Sequence, residues 1–188
     1  MTSTQACAAQ RGTVPSEGSM RPLCRRYVLG LFDIAIMRWR DAEGLRGHPV
    51  HWAFGWLADG ECESLGVWIE SGMESETPLG LLADLKSRGL ERIRNVIGTD
   101  TGRLRSRVAD AFASTGHRSP SSEPAAEDVR DALARAIRRR GSFASEAEAL
   151  DFISGALQRT EHRLDRERAI AKVRPRHESG AQMVPPGV

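Results

Sequence analysis

The chain has 188 residues, of which 40% are hydrophobic and 28% charged, the composition of an ordinary globular protein with one substantial core. Its net charge of +2 and pI near 8.6 exclude the strongly basic composition that would by itself indicate a nucleic-acid-binding protein. Of the 27 basic residues only Lys86 and Lys172 are lysines, which we attribute first to GC-rich codon usage and second to phosphate recognition.

The cysteines Cys7, Cys24 and Cys62 lie far apart and form no CxxC pair, so neither a disulfide framework nor a zinc site is predicted. The N-terminus lacks the basic-then-apolar pattern of a signal peptide, and no apolar run reaches the roughly 18 residues of a transmembrane helix. We therefore expect a cytoplasmic protein without membrane contact.

Residues 1–24 show no periodicity and are expected to form a disordered tail. The apolar run that follows, from Tyr27 to Trp39, reads YVLGLFDIAIMRW. Both of its alternating faces are apolar, which is typical of a central strand covered on both sides. Asp33 is the only acid in the run. Because a lone carboxylate is costly to bury unless it is paired or binds a metal, Asp33 is the first candidate functional residue.

Turn residues and periodicity predict the next elements. The polar segment from Asp41 to Pro49 is predicted to be a hairpin loop, and Asp59-Gly60 the turn of a second hairpin. Thr77-Pro78 indicates a helix start and Gly89 its end. The elements predicted on this basis are two strands within Val50–Glu70, a helix from Thr77 to Gly89, a strand at Arg92–Gly98 and a short helix at Arg103–Phe112.

Three meandering strands followed by a helical crossover favour a mixed sheet, in which the fourth strand lies beside the first and parallel to it. This arrangement would bring Asp33 near Asp100, which follows the fourth strand. Two carboxylates on neighbouring strands, with a third from a later helix, are oxygen ligands suited to Mg²⁺ in phosphoryl transfer. The residues alone leave two alternatives open: Asp33 as a buried acid paired with an arginine, and Asp100 as a helix N-cap.

The C-terminal third is predicted to be helical. Residues 114–124 form a loop by composition, and helical periodicity then runs from Ala125 to Arg140. A second helix starts at Ser145, with Glu148 completing a capping box. The helical segment is assigned to residues 125–167, and residues 168–188 are expected to form a disordered tail.

Residues 25–113 contain three stretches that resemble the catalytic core of Mutator-type bacterial insertion-sequence transposases. They read YVLGLFDIAIMRWRD, HPVHWAFGWLADGECESLGVWIESGMESE and LLADLKSRGLERIRNVIGTDTGRL. Within them, ADGECESLGVWI matches the family's DG turn and LG(V/L)W strand, and LADLKSRGLE matches its DLKxRG helix end. The resemblance implies an α/β fold with a ribonuclease H-like mixed sheet of three antiparallel strands and one parallel strand. Helices would flank this sheet, and further helices would follow at the C-terminus. The ribonuclease H-like fold would be incomplete.

The resemblance also implies a catalytic site. Asp33 and Asp100 would be the first two members of an Asp-Asp-Glu triad that binds Mg²⁺ or Mn²⁺. A second block, EPAAEDVRDALARAIRRRGSFASEAEALDFISGAL, resembles the family's C-terminal region, where a NAIESLN motif leads into a basic helix. In that register Glu127 falls on the catalytic Glu, whereas Pro124 and Arg130 stand where the motif has Asn.

Two alternatives apply to this block. Glu127 lies on the polar flank of its predicted helix, so it is equally readable as a solvated charge near a helix N-terminus. The basic run of Arg138, Arg139 and Arg140 is a candidate for binding DNA phosphates, and it is equally typical of a solvated helix C-terminus that compensates the helix dipole.

Only 26 residues separate Asp100 from Glu127, where the family has a fifth strand, a Cys/His segment and a long helical insertion. We also expect the family's N-terminal DNA-binding region to be missing, since the resemblance to the core begins near residue 25. We interpret the chain as an N-terminally truncated and internally deleted transposase, with the deletion junction at residues 114–124. The expected function is DNA transposition by metal-dependent strand cleavage and strand transfer at insertion-sequence terminal repeats, in degenerate form. Two alternatives stay open: a non-catalytic protein that binds DNA or forms a homo-oligomer or mixed oligomer with a full-length transposase, and a decayed remnant without activity.

Overall fold

A computed structural model describes residues 21–69, 79–98, 104–114, 116–118 and 123–173. These ranges contain a mixed α/β arrangement, as predicted. In chain order, its elements are β1 (Arg26–Asp41), β2 (Gly44–Trp56), β3 (Cys62–Ile69), α1 (Leu79–Ser87), β4 (Arg92–Gly98), α2 (Leu104–Ala111), β5 (Gly116–Arg118), α3 (Pro124–Arg140) and α4 (Glu146–Val173).

The strands form one sheet in the order β3-β2-β1-β4-β5. β1 pairs antiparallel with β2, and β2 pairs antiparallel with β3. β4 lies on the other side of β1 and runs parallel to it, which confirms the predicted mixed sheet. In the register of β1, Asp33 lies opposite Trp52 of β2, and Phe32 lies opposite Gly98 of β4. The central strand therefore carries Asp33 at the point where β4 ends.

Each face of the sheet is covered by a different pair of helices. One hydrophobic cluster joins alternate residues of β1, among them Leu29, Leu31 and Met37, to α3 and α4. The other joins Phe32 and further residues of β1, β2, β3 and β4 to α1 and α2. Because side chains alternate along a strand, Asp33 belongs to the face covered by α3 and α4. The core residues thus place the acid between the sheet and the C-terminal helices.

Three predicted boundaries are wrong. The loop predicted over residues 114–124 contains β5, which runs parallel to β4 and is three residues long. The first hairpin has a tight turn instead of a nine-residue loop, because Asp41 already pairs with Gly44. The tail predicted from residue 168 is still helical as far as Val173, and Arg168 forms an ion pair with Glu61 at 3.1 Å. In each case the sequence analysis took a composition rich in polar residues, Gly or Pro as a sign of irregular structure.

Some predictions fall outside the described residues. They concern most of the N-terminal tail, the Thr77-Pro78 helix start, Asp100, and the tail beyond residue 173. Among the residues that are described, no helix combines the length and apolar character needed to cross a membrane.

The start of α4 carries the predicted capping box. The Glu148 backbone N–H donates to the Ser145 hydroxyl at 3.2 Å, and Glu148 Oε2 accepts from the Ala144 backbone N–H at 2.6 Å. The Glu148 carboxylate also pairs with Arg140, the last residue of α3. The Ala144 N–H and the Arg140 guanidinium hold the pKa of Glu148 below its ordinary value. One carboxylate therefore joins the end of α3 to the start of α4.

A polar cluster formed by Trp68, Asp84 and Arg88 fixes α1 against β3. Asp84 Oδ2 accepts from Trp68 Nε1 at 3.2 Å and from Arg88 Nη1 at 3.1 Å. The same Arg88 nitrogen donates to the Leu65 carbonyl at 2.5 Å. Gly89 then ends the helix with a φ of +100°, a left-handed conformation that favours glycine. The cluster joins the LGVW strand to the DLKSRG helix end.

Candidate functional site

Asp33 is a buried acid whose two carboxylate oxygens both accept hydrogen bonds. Only 6% of the residue is exposed. Its Oδ1 accepts from the Ile34 backbone N–H at 2.9 Å, and its Oδ2 accepts from Arg130 Nε at 2.6 Å. Arg130 reaches the strand from α3, 97 positions later in the chain. The structure therefore contains the arrangement that the sequence left open as an alternative, a buried acid paired with an arginine.

A cavity of about 430 Å³ lies beside this ion pair, between β1 and α3. Its lining includes Asp33 and Trp52 from the sheet, and Glu127, Arg130, Asp131 and Arg138 from the helix. The apolar stripe of α3, formed by Ala126, Val129 and Leu133, is buried against the sheet. The side of the helix next to this stripe therefore lines the cavity. Glu127, in the first turn of α3, is exposed on this flank. Two of the three predicted site carboxylates thus line one cavity.

Asp100, the third predicted site residue, lies outside the described residues. The structure does describe the strand that leads to it. β4 runs parallel to β1, and its last residue, Gly98, is the register partner of Phe32, which precedes Asp33.

The three arginines predicted to bind DNA occupy the last turn of α3, and all are exposed. Arg138 lines the cavity that contains Asp33. Arg139 lines a neighbouring cavity together with Arg135 and Arg138. Arg140 pairs with Glu148 and lies over the Phe143 ring, with its guanidinium carbon 5.8 Å from the centroid. Arg138 and Arg139 therefore face open cavities, whereas Arg140 takes part in joining the two helices.

The family model described as "Transposase, Mutator family" matches residues 16–121, more than half of the chain. The chain belongs to the Mutator family of transposases. It is 39% identical over 77 residues to the probable transposase for insertion sequence element ISRM3-like of Sinorhizobium fredii. It is 38% identical, also over 77 residues, to the transposase for insertion sequence element ISRM3 of Rhizobium meliloti. Each match covers 41% of this chain but only 19% of the relative.

The region matched by the Mutator family model ends before α3. Asp33 and Asp100 lie inside the matched residues, whereas Glu127 and the three arginines at the end of α3 lie beyond them. The structure, and not the family match, connects these later residues to Asp33, because Glu127 and Arg138 line the same cavity as Asp33.

The described side chains of this Mutator-family protein do not present Asp33 to a divalent cation. Carboxylate oxygens are the right donors for Mg²⁺, which binds them at 2.0–2.1 Å. The Arg130 guanidinium, however, already lies 2.6 Å from Asp33 Oδ2. In the ranges that the structure describes, no three His, Cys, Asp or Glu side chains are grouped closely enough to hold a metal ion. In the described arrangement the partner of Asp33 Oδ2 is therefore a guanidinium.

Arg130 is the site residue that the sequence analysis missed. Two signals pointed to a partner of this kind: a lone acid in an apolar strand needs a counter-charge, and Arg130 lies three residues after Glu127 on the same side of a helix. Neither signal selects this arginine from the 27 basic residues of the chain.

Proposed function

We propose that this Mutator-family chain acts in DNA transposition, and that the cavity between β1 and α3 is where DNA phosphodiesters are cleaved and joined. One observation carries the proposal: Asp33 and Glu127, separated by 94 positions, line the same cavity. A buried strand acid and a helix acid that line one cleft are candidates for a functional site.

The ribonuclease H-like assignment of the sheet is part of this proposal. Its support is the strand order β3-β2-β1-β4-β5, with antiparallel pairing on one side of β1 and parallel pairing on the other. In such a sheet the central strand and its parallel neighbour end at the same edge, which brings residues that follow β4 toward Asp33. Asp100 is the proposed contribution from that strand.

The proposed cofactor is Mg²⁺ or Mn²⁺, and the proposed ligands are Asp33, Asp100 and Glu127. Their carboxylates have the chemistry that hard divalent cations prefer. In the described arrangement Arg130 holds Asp33, so no reaction step is assigned to the ion. Arg138 and Arg139, exposed beside the acidic cavity, are the proposed contacts to DNA phosphates.

Asp33→Asn is expected to reduce strand cleavage at least about 100-fold, because it removes an anionic oxygen donor from the proposed ligand set of the divalent cation. The measurement is cleavage and strand transfer on linear DNA with the terminal repeats of an ISRM3-type element, in Mg²⁺ or Mn²⁺. Asp128→Asn is the matched control: Asp128 is exposed on α3, next to Glu127 and outside the lining of the cavity. Unchanged cleavage by Asp33→Asn would rule out the proposed site.

A second candidate function is non-catalytic, and the Asp33–Arg130 ion pair favours it. A carboxylate neutralised by guanidinium is already stabilised in the fold, so the core needs no metal ion to hold its central acid. On this proposal the chain associates with a full-length transposase and inhibits it. We expect the two proteins, mixed at micromolar concentrations, to co-elute as one complex in size-exclusion chromatography. Separate elution at that concentration would contradict the proposal.

A further inference from the structure

We propose that Arg130 is a built-in competitor of the divalent cation, so that a metal ion binds Asp33 only after the guanidinium has left this carboxylate. The inference rests on the proposed function, because it concerns the same site. It goes further by assigning a role to a residue that belongs to neither the proposed ligand set nor the proposed DNA contacts.

The first argument is the occupied oxygen. Arg130 Nε lies 2.6 Å from Asp33 Oδ2, a charge-assisted contact slightly shorter than the usual range of about 2.7–2.9 Å between nitrogen and oxygen. A cation bound to this oxygen at 2.0–2.1 Å would lie close to the guanidinium. Because the Asp33 side chain is only 7% exposed, little water is present to screen the repulsion between the two positive groups. Guanidinium and metal ion therefore exclude each other at this oxygen.

The second argument is that Arg130 has a way out. Its side chain is 30% exposed, and it lines the open cavity beside α3. Asp33 comes from a central strand and is fixed by the sheet register, so the arginine is the partner that can move. Asp33 and Glu127 line this cavity whether or not Arg130 stays at the carboxylate, and both carry oxygen donors.

The third argument is the charge at position 130. Arg130 supplies a positive partner to Asp33, whereas asparagine is neutral and could not neutralise the acid. Such a substitution changes the charge beside the central carboxylate without changing the carboxylate. Arg130→Asn is therefore the informative variant, and Arg130→Lys is the variant that keeps the positive charge.

The test measures Mn²⁺ binding by the full chain without DNA. The electron paramagnetic resonance signal of the free ion reports how much Mn²⁺ is unbound. We expect Arg130→Asn to bind Mn²⁺ at least about tenfold more tightly than the wild type, since it removes a competing cation. Arg130→Lys should stay within about threefold of the wild type, because it retains the charge. Arg163→Asn is the control: Arg163 is exposed on α4, pairs with Glu167 at 3.0 Å and lies outside the lining of the cavity. It should leave the affinity unchanged.

The double variant Asp33→Asn/Arg130→Asn decides whether the gain comes from Asp33. We expect it to lose the tighter binding. Equal affinities of wild type and Arg130→Asn would overturn the inference, as would a gain that persists in the double variant. If Arg130→Asn is unfolded without metal, Mn²⁺ should refold it, since binding to the native state shifts the folding equilibrium. Failure to refold would also overturn the inference.

The outcome is separable from that of the proposed function. Tighter Mn²⁺ binding by Arg130→Asn, combined with no strand cleavage by any variant, supports the competition and contradicts the enzymatic proposal. Strand cleavage by the wild type, combined with no gain in Arg130→Asn, supports the enzyme and contradicts the competition.

Discussion

Asp84→Ala is expected to lower the free energy of unfolding by about 3 kcal/mol, the scale for breaking a buried charge pair. The substitution removes the acceptor for both Trp68 Nε1 and Arg88 Nη1. The Arg88 side chain is only 7% exposed, so its charge would lose its carboxylate partner in a place that water hardly reaches. The backbone carbonyls of Leu65 and Arg21 still accept from Arg88, which keeps the loss from being larger.

This loss of unfolding free energy is measured by urea unfolding, with tryptophan fluorescence and circular dichroism as the two probes. Asp84→Asn keeps an oxygen for the tryptophan and removes the charge, so it should cost about half as much. Asp110→Ala changes an exposed acid in α2 and should stay within about 0.5 kcal/mol of the wild type. If Asp84→Ala proves as mild as Asp110→Ala, the cluster does not stabilise the core.

The Trp68–Asp84–Arg88 cluster explains why two separate stretches of the sequence are informative together. The LGVW strand supplies Trp68 and the DLKSRG helix end supplies Asp84, Arg88 and Gly89. The sequence predicted the strand and the helix separately, since hydrophobic periodicity and helix-ending glycines are local signals. The hydrogen bonds that join them connect positions 16 apart or more in different elements, and no local pattern contains that information.

The site shows the same division between local and long-range information. A single acid in a strand that is apolar on both faces was enough to select Asp33, and the order of the elements was enough to place β4 beside β1. The partner of Asp33 was not predictable, because the contact with Arg130 depends on how α3 crosses the sheet. β5 was missed for a different reason: its residues, Gly116–Arg118, lack the apolar and β-branched side chains that indicate a strand.

Gly98→Ala is expected to lower the free energy of unfolding by about 3 kcal/mol, the upper range for overpacking. A Cβ atom at Gly98 would lie 2.4 Å from the Phe32 carbonyl oxygen, a distance that real Cβ atoms do not reach. The obstacle is backbone in a central strand, so relief requires β1 and β4 to separate where they pair. Gly155→Ala in α4 is the matched control. A Cβ atom at Gly155 would lie 3.2 Å from Arg159 Nη1, which is the far end of a flexible side chain. It should raise stability by up to about 1 kcal/mol, because alanine favours helix more than glycine does.

The two glycine variants also distinguish an effect on the stability of the fold from an effect on the geometry of the proposed site. Phe32, whose carbonyl Gly98 approaches, directly precedes Asp33, and β4 leads on to Asp100. Moving the end of β4 therefore changes the separation of the two proposed ligands as well as the sheet. At temperatures below its unfolding midpoint, Gly98→Ala should lose a larger fraction of its strand-cleavage activity than the fraction of molecules that are unfolded. The reason is that catalytic geometry tolerates shifts of less than about 1 Å. Gly155→Ala should keep its activity. Cleavage by folded Gly98→Ala at the wild-type rate would mean that the junction of β1 and β4 positions no reacting group.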